Sequence, residues 1–300
     1  MNHEIRSLFD DNKLTTKKIT LVGNVRIVET DNDKLVIKKR GNDLDDIFKY
    51  LKSRSFEYIP EIIYKTTNYD IYKYINDNVL DDEEKILDII KLVTLLHSKT
   101  TYYKEVDDDT YKELYETTIN QINYLYNYYS DIAEIIESNE YMSPSNYFFI
   151  RNISKLFASL DYAKYQINNW YNIIEEKKRI RVVNIHNNLS LDHYLFDDKP
   201  YLISWDLSKK DIPIYDLITL YKRHYNELDF CDLFRVYESH YPLFKEEKSL
   251  LFCLLSIPDK LDFNDKEINL CIKIKKFYEY LFSTDRLIND YIPLNEKQEL

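Results

Sequence analysis

Two glycines in 300 residues, Gly23 and Gly41, constrain this chain more than any other feature. A loop that cradles phosphate brings backbone N–H groups close against the ligand, and that usually takes several glycines in a short span. Neither a Walker loop nor a dinucleotide-binding fingerprint can be assembled from Gly23 and Gly41. The balance of 44% hydrophobic and 31% charged residues is that of a globular chain with an ample core.

A net charge of -11 argues against nucleic acid or an anionic membrane as a general partner, since both call for a basic footprint. The segment Met1 to Lys18 has no apolar signal region, and the longest mostly apolar run, Ser249 to Pro258, is far too short to span a bilayer. A cytoplasmic protein with no membrane partner is expected. Cys231, Cys253 and Cys271 are odd in number and lack C-x-x-C spacing, so they read as free thiols rather than a disulfide frame or a zinc site. The excess of tyrosine, 29 residues, is explained more simply by AT-rich coding than by a stacking surface for carbohydrate.

Alternation and β-branched residues from Ile19 to Arg40 predict a hairpin with Asp31-Asn32-Asp33 at its tip. Leu44, Ile47, Phe48 and Leu51 give Asp43 to Arg54 a helical face. Tyr58 to Lys65 and Asp70 to Ile75 read as two further strands, completing a β-β-α-β-β module. Beyond Asp82 helical periodicity dominates: Glu83 to Ser98, Thr110 to Glu137, and a segment opened by Ser143-Pro144-Ser145 that runs through Glu176, with proline where a first helical turn tolerates it. From Asp216 the chain is helical again, with breaks near Pro242 and Pro258. The expected fold class is α+β, with residues 1–76 as a β-rich lobe and 77–300 as a helical lobe.

Embedded in the helical part, Arg181 to Asp206 reads as a strand-loop-strand hairpin. Its two apolar segments are separated by an Asp-Asp-Lys-Pro turn, and each ends in polar residues that gather at the mouth: His186, Asn187, Asn188, Asp192 and His193 after the first, Ser204 and Asp206 with the second. Ser204 and Asp206, read as strand residues two apart, project to one side and are displaced by roughly 6.6 Å. Asp216 follows at a helix start.

These pieces, together with Leu95-Leu96-His97-Ser98, resemble the protein-kinase-like superfamily in its aminoglycoside and choline phosphotransferase branch, and within it the bacterial spore-coat kinase-like (CotS-type) proteins. The resemblance covers roughly residues 15 to 285. It rests on an H-x-D-L-x-x-x-N-x-L loop followed by I-D-W-[DE] and D-P-x-x-D-L, the last present as Asp211-Ile-Pro213-Ile-Tyr-Asp216-Leu217 with one residue inserted. It implies a two-lobed kinase-like fold, ATP and magnesium as cofactors, and phosphorylation of a small hydroxylated molecule. Substrate choice would lie in the helices from Thr101 to Lys178.

Phosphoryl transfer on such a fold needs a cation for the nucleotide phosphates, oxygen donors for magnesium and a carboxylate that accepts the proton of the attacking hydroxyl. By the resemblance, Lys38 is the phosphate-pairing lysine, Asp45 or Asp46 its acidic partner, and Gly23 lies where a glycine-rich loop would be. Asn188 stands at the general-base position, and a carboxamide cannot take a proton near neutral pH. His193 and Ser204 stand at the two magnesium-holding positions; imidazole is a poor ligand for so hard an ion, and a neutral hydroxyl is a weak one. His186 and His97 correspond to architectural histidines, and Asp216 to a buried aspartate that ties down the loop or to an N-cap.

Two functions follow. One is a pseudokinase that binds a small molecule or a protein partner as a ligand-binding or scaffold module. The other is an active ATP-dependent O-phosphotransferase in which Asp192 or Asp206 replaces the missing carboxylates.

Overall fold

A computed structural model of the chain describes residues 3–41, 43–78 and 80–291. In order, it contains α1 (His3–Asp11), β1 (Thr16–Val22), β2 (Val25–Thr30), β3 (Lys34–Lys39), α2 (Asp45–Ser53), β4 (Ile62–Lys65), β5 (Tyr69–Lys73) and α3 (Asp82–Thr100). Then come β6 (Tyr102–Glu105), α4 (Asp108–Glu137), α5 (Pro144–Glu175), β7 (Arg179–Ile185), β8 (Tyr194–Phe196), β9 (Pro200–Leu202) and β10 (Lys209–Asp211). The chain ends in α6 (Ile214–His224), α7 (Phe230–His240), α8 (Lys245–Ser256) and α9 (Glu267–Tyr291). No described helix is long and apolar enough to cross a membrane.

The chain packs as two compact units: residues 1–100 with 186–209, and 101–185 with 210–300. The sequence reading cuts the chain once, at 76/77. In the structure α3 and the polar loop group with the small sheet.

The first unit is built on an antiparallel sheet in the order β1-β2-β3-β5-β4. Where the sequence predicts one hairpin between Ile19 and Arg40, the structure has three strands. Gly23, at φ 54°, turns the chain between Val22 and Val25, a left-handed conformation that costs glycine little. The Asp31 to Asp33 turn is where it was expected, held by Thr30 Oγ1, which donates to the Asp33 carbonyl at 2.8 Å.

Alternation then sorts β3 by face. Leu35 and Ile37 point to one side, where α1 seals them with Ile5 and Phe9 into a core with Val28 and Ile71. The sequence reading assigned no helix to this N-terminal segment, since only Ile5 and Phe9 of α1 are buried and two residues are too few to show a period. Val36 and Lys38 point to the other side, and Lys38 stands in register with Asp70 on β5.

In the second unit α5 packs against α4, α8 and α9. Its start is as the sequence predicts: Ser143 Oγ accepts from the Asn146 amide, and Pro144 occupies the first turn. β7 is the main departure. It pairs with β6 and lies in a sheet ordered β10-β7-β6, whereas the sequence reading makes it one arm of a hairpin ending at Asp206. The hairpin within that stretch is the short β8–β9 pair, Tyr194 opposite Leu202 and Phe196 opposite Pro200. β7 is buried from Ile180 to Ile185 on both faces, so it has no polar side from which its neighbours can be read.

β7 is fastened by a buried ion pair. Arg181 donates through Nε to Glu247 at 2.9 Å and through Nη2 both to Glu247 and to the Pro242 carbonyl. Its guanidinium lies 4.1 Å from the ring centres of both Tyr241 and Phe244. Burial pushes the Glu247 carboxyl above its usual range, against the opposing pull of Arg181.

Candidate functional site

The polar loop is held by Trp205. Its indole is buried, donates to the Leu202 carbonyl at 2.6 Å, and meets Phe48, Phe56 and His186 edge-on at 6.2, 6.1 and 4.6 Å between ring centres. The loop is also pinned through its backbone. Leu202 donates to the Tyr58 carbonyl, Asn78 to the Phe196 carbonyl, and Phe196 to Asp77. Tyr194 Oη donates to Asp88 on α3 at 2.9 Å. Burial first, then that carboxylate, pushes the Tyr194 phenol up.

Within this frame the three positions at issue are bonded to one another. Asn188 Nδ2 donates to the Ser204 carbonyl at 3.1 Å. His193 Nδ1 lies 2.6 Å from the Asn188 carbonyl; a carbonyl only accepts, so Nδ1 carries the proton. The Ile203 amide donates to the His193 carbonyl at 2.9 Å, and the His193 amide to that of Ser190 at 3.0 Å. The site is thus stitched by an amide, an imidazole and backbone groups.

Ser204 does not lie on a strand. It is left-handed, at φ 66° and ψ 49°, and Trp205–Leu207 forms a 3-10 turn. The same-side relation expected of Ser204 and Asp206 on a strand therefore does not hold. A left-handed serine costs on the order of 1–2 kcal/mol, which the Trp205 anchor and the hydrogen bonds across the loop offset. Asn187, at φ 58°, is the second left-handed residue of the loop and donates to the Leu207 carbonyl at 3.1 Å.

Lys38 forms an ion pair with Asp206, both side chains about one quarter exposed, at 26% and 28%. The acidic partner of Lys38 is therefore Asp206, not Asp45 or Asp46. Asp45 pairs with Lys65 on β4, and Asp46 stands in the first turn of α2. Next to this pair the buried Asp70 accepts from Arg40 through Nε at 2.9 Å and Nη2 at 2.6 Å. Tyr72, two residues along β5, has its phenol raised by burial first and then by Asp70 and Asp206. Two cations, two carboxylates and a phenol thus share one electrostatic neighbourhood.

Sequence reasoning finds Lys38 and Asp206 in this group and misses Arg40, Asp70 and Tyr72. The available signal was parity: Lys38 and Arg40 alternate along one strand end, and so do Asp70 and Tyr72.

The remaining positions are dispersed. Asp192 is exposed on a 3-10 turn, its amide donating to Ser190 Oγ at 3.4 Å. Gly23 has open space around its Cα. His97 and His186 are fully buried, as expected of architectural residues; His186 Nε2 lies 2.9 Å from the Ile203 carbonyl. Asp216 is fully buried in the first turn of α6, behind Pro213 at the N-cap, and so is not itself the cap. Among the described residues no group of three or more His, Cys, Asp or Glu side chains converges where a metal ion would be held.

The small antiparallel sheet and the helical unit define the aminoglycoside phosphotransferase-like variety of the kinase fold. An aminoglycoside phosphotransferase from Alicyclobacillus acidocaldarius superposes over 92% of both chains with a TM-score of 0.68 at 8% identity. The AMP-bound spectinomycin phosphotransferase APH(9)-Ia covers 95% of this chain and 93% of its own, with a TM-score of 0.54 at 12% identity. The same enzyme with ADP and spectinomycin gives a TM-score of 0.51 at 12% identity over 93% and 98% of the two chains. No family model and no curated protein matches the sequence.

The resemblance implies ATP and magnesium as cofactors, and the donor set tests their fit. Magnesium requires hard oxygen ligands, and near-octahedral geometry makes it unforgiving of substitutes. The positions that the resemblance assigns to it, His193 and Ser204, present an imidazole and a left-handed serine. Asp206, two residues on from Ser204, is held by Lys38. These residues do not fit a magnesium-bound nucleotide.

Proposed function

We propose that this chain is a pseudokinase: a kinase-fold, ligand-binding or scaffold module that does not transfer phosphate. The observation that carries this reading is the mutual bonding of Asn188, His193 and Ser204. At the base position an amide donates to a backbone carbonyl. At one metal position an imidazole nitrogen is committed to another. Such groups brace the loop and have no free carboxylate with which to hold a metal or take a proton, and loss of a general base alone costs on the order of 10²- to 10⁴-fold in rate.

The competing reading is an active small-molecule O-phosphotransferase using Asp206 or Asp192. Asp206 is engaged by the very lysine that would bind phosphate, and Asp192 is exposed on a turn, which favours the pseudokinase. The deciding experiment is a phosphotransfer assay with ATP and magnesium or manganese over amino sugars, amino alcohols and aminoglycosides. The expected result is no turnover above a Lys38→Ala control. Metal-dependent phosphorylation of any of these, abolished by Lys38→Ala, overturns the proposal.

A further inference from the structure

We propose that the outer edge of β1 is a docking site for a protein partner, which adds an extended, acidic segment to the sheet as a further strand. This goes beyond the reading of the polar loop and stands whether or not the chain transfers phosphate.

β1 comes first in the sheet order β1-β2-β3-β5-β4, and among the described residues no strand pairs with its outer side. All seven of its residues are exposed. A two-residue turn, Gly23-Asn24, joins Val22 to its partner Val25 on β2. The pair that flanks such a turn is hydrogen-bonded, and bonding alternates along an antiparallel strand. Lys18, Thr20 and Val22 therefore spend their backbone groups on β2, while Ile19 and Leu21 turn theirs outward. The opposite edge is blunted: β4 has four residues, and its register shifts between Ile62 and Tyr64. In β1 the shift falls at the start, between Thr16 and Lys18, and leaves Lys18 to Val22 regular.

The side chains define the partner. Ile19 stands opposite Val28, so Ile19 and Leu21 extend the face on which α1 seals Val28, Leu35 and Ile37. They are 45% and 70% exposed there, apolar groups that their own core does not cover. Asn12 to Val28 also holds four cations, Lys13, Lys17, Lys18 and Arg26, and no carboxylate, in a chain of net charge -11. Lys17 reaches Asp31 at 3.1 Å; Lys18 lies in the regular part of the edge, on the other face from Ile19. The complementary segment alternates, with apolar residues beside Ile19 and Leu21 and carboxylates beside Lys18 and Thr20. A second copy of β1 brings the same cations, and charge disfavours it.

Fluorescence anisotropy of a labelled nine-residue peptide alternating valine and glutamate, titrated with the full chain, tests the site. The valines face Ile19 and Leu21 in hydrogen-bonded pairs, so N-methylation of the valines should abolish binding and N-methylation of the glutamates should spare it. A valine–lysine peptide should bind more weakly than the parent. Lys18→Glu should weaken the glutamate peptide by about three- to fivefold and strengthen the lysine peptide by a like factor. Ile19→Pro deletes an outward N–H and leaves the bonds to β2, and should weaken the parent about tenfold; circular dichroism checks that both variants are folded. No binding of the parent, equal binding of the two N-methylated peptides, or equal binding of the glutamate and lysine peptides overturns the proposal. So does a wild type that sediments as a dimer and an Ile19→Pro variant that does not, since the occupant is then a second copy.

Discussion

Replacing Arg181 by methionine removes the cation paired with Glu247, at a point where neither group is open to water. Arg181 is 7% and Glu247 4% exposed. The substitution deletes the paired hydrogen bonds to the carboxylate, the bond to the Pro242 carbonyl, and the stacking of the guanidinium between Tyr241 and Phe244. It leaves a buried carboxylate behind. Breaking a buried pair from one side costs about 3–5 kcal/mol, most of it the uncompensated charge.

The pH dependence has a definite sign. Burial already holds the Glu247 carboxyl above its usual range, and loss of Arg181, which pulls it down, raises it further. For a carboxyl raised on folding, the native state binds the proton more tightly than the unfolded state. Its stabilising contribution is complete below the unfolded pKa and is lost as pH rises through the folded one. Arg181→Met is therefore most damaged at neutral pH and recovers as pH falls toward the ordinary glutamate range.

Urea denaturation at pH 7 and pH 5 reads both quantities. An Arg181→Met/Glu247→Leu double variant, with no charge left behind, regains more than half of the loss. A single variant within about 1 kcal/mol of wild type at pH 7, or one whose deficit is the same at both pH values, refutes the reasoning.

Trp205→Ala empties the space against Phe48, Phe56 and His186, and urea denaturation should show a loss of about 3–5 kcal/mol. At the left-handed Ser204, Ser204→Val should be less stable than Ser204→Gly by about 1–2 kcal/mol, measured by the same titration. The Asp229 carboxylate accepts from the amides of Cys231 and Asp232 at the start of α7, so Asp229→Ala should cost about 1 kcal/mol in thermal or chemical denaturation.

The elements that were legible in the sequence are those whose signal is local. The long helix α5 is announced by Ser143-Pro144 and a sustained apolar period, and the Asp31 to Asp33 turn by its composition. The fold class was legible too, because the order of strands and helices and the spacing of the loop motifs are linear properties. What was misread had no local signature. β7, buried on both faces, could be joined to either side. The left-handed Ser204 looks like a strand residue until its dihedrals are known, and with it went the supposed alignment of Ser204 with Asp206.

By itself, then, the sequence determined the chemical inventory: two glycines, the amide of Asn188, the imidazole of His193, the hydroxyl of Ser204, and a lysine at the end of β3. Composition and identity are properties of single residues, and no folding changes them. Only the tertiary structure decided the pairings. Lys38 takes Asp206 across 168 residues, while Asp45, closer in sequence, is held by Lys65. Trp205 is caged by Phe48 and Phe56 from the opposite end of its unit's chain. The physical reason is that a helix or turn is selected by hydrogen bonds a few residues apart, whereas a charged side chain pairs with whichever opposite charge the packed chain delivers to it.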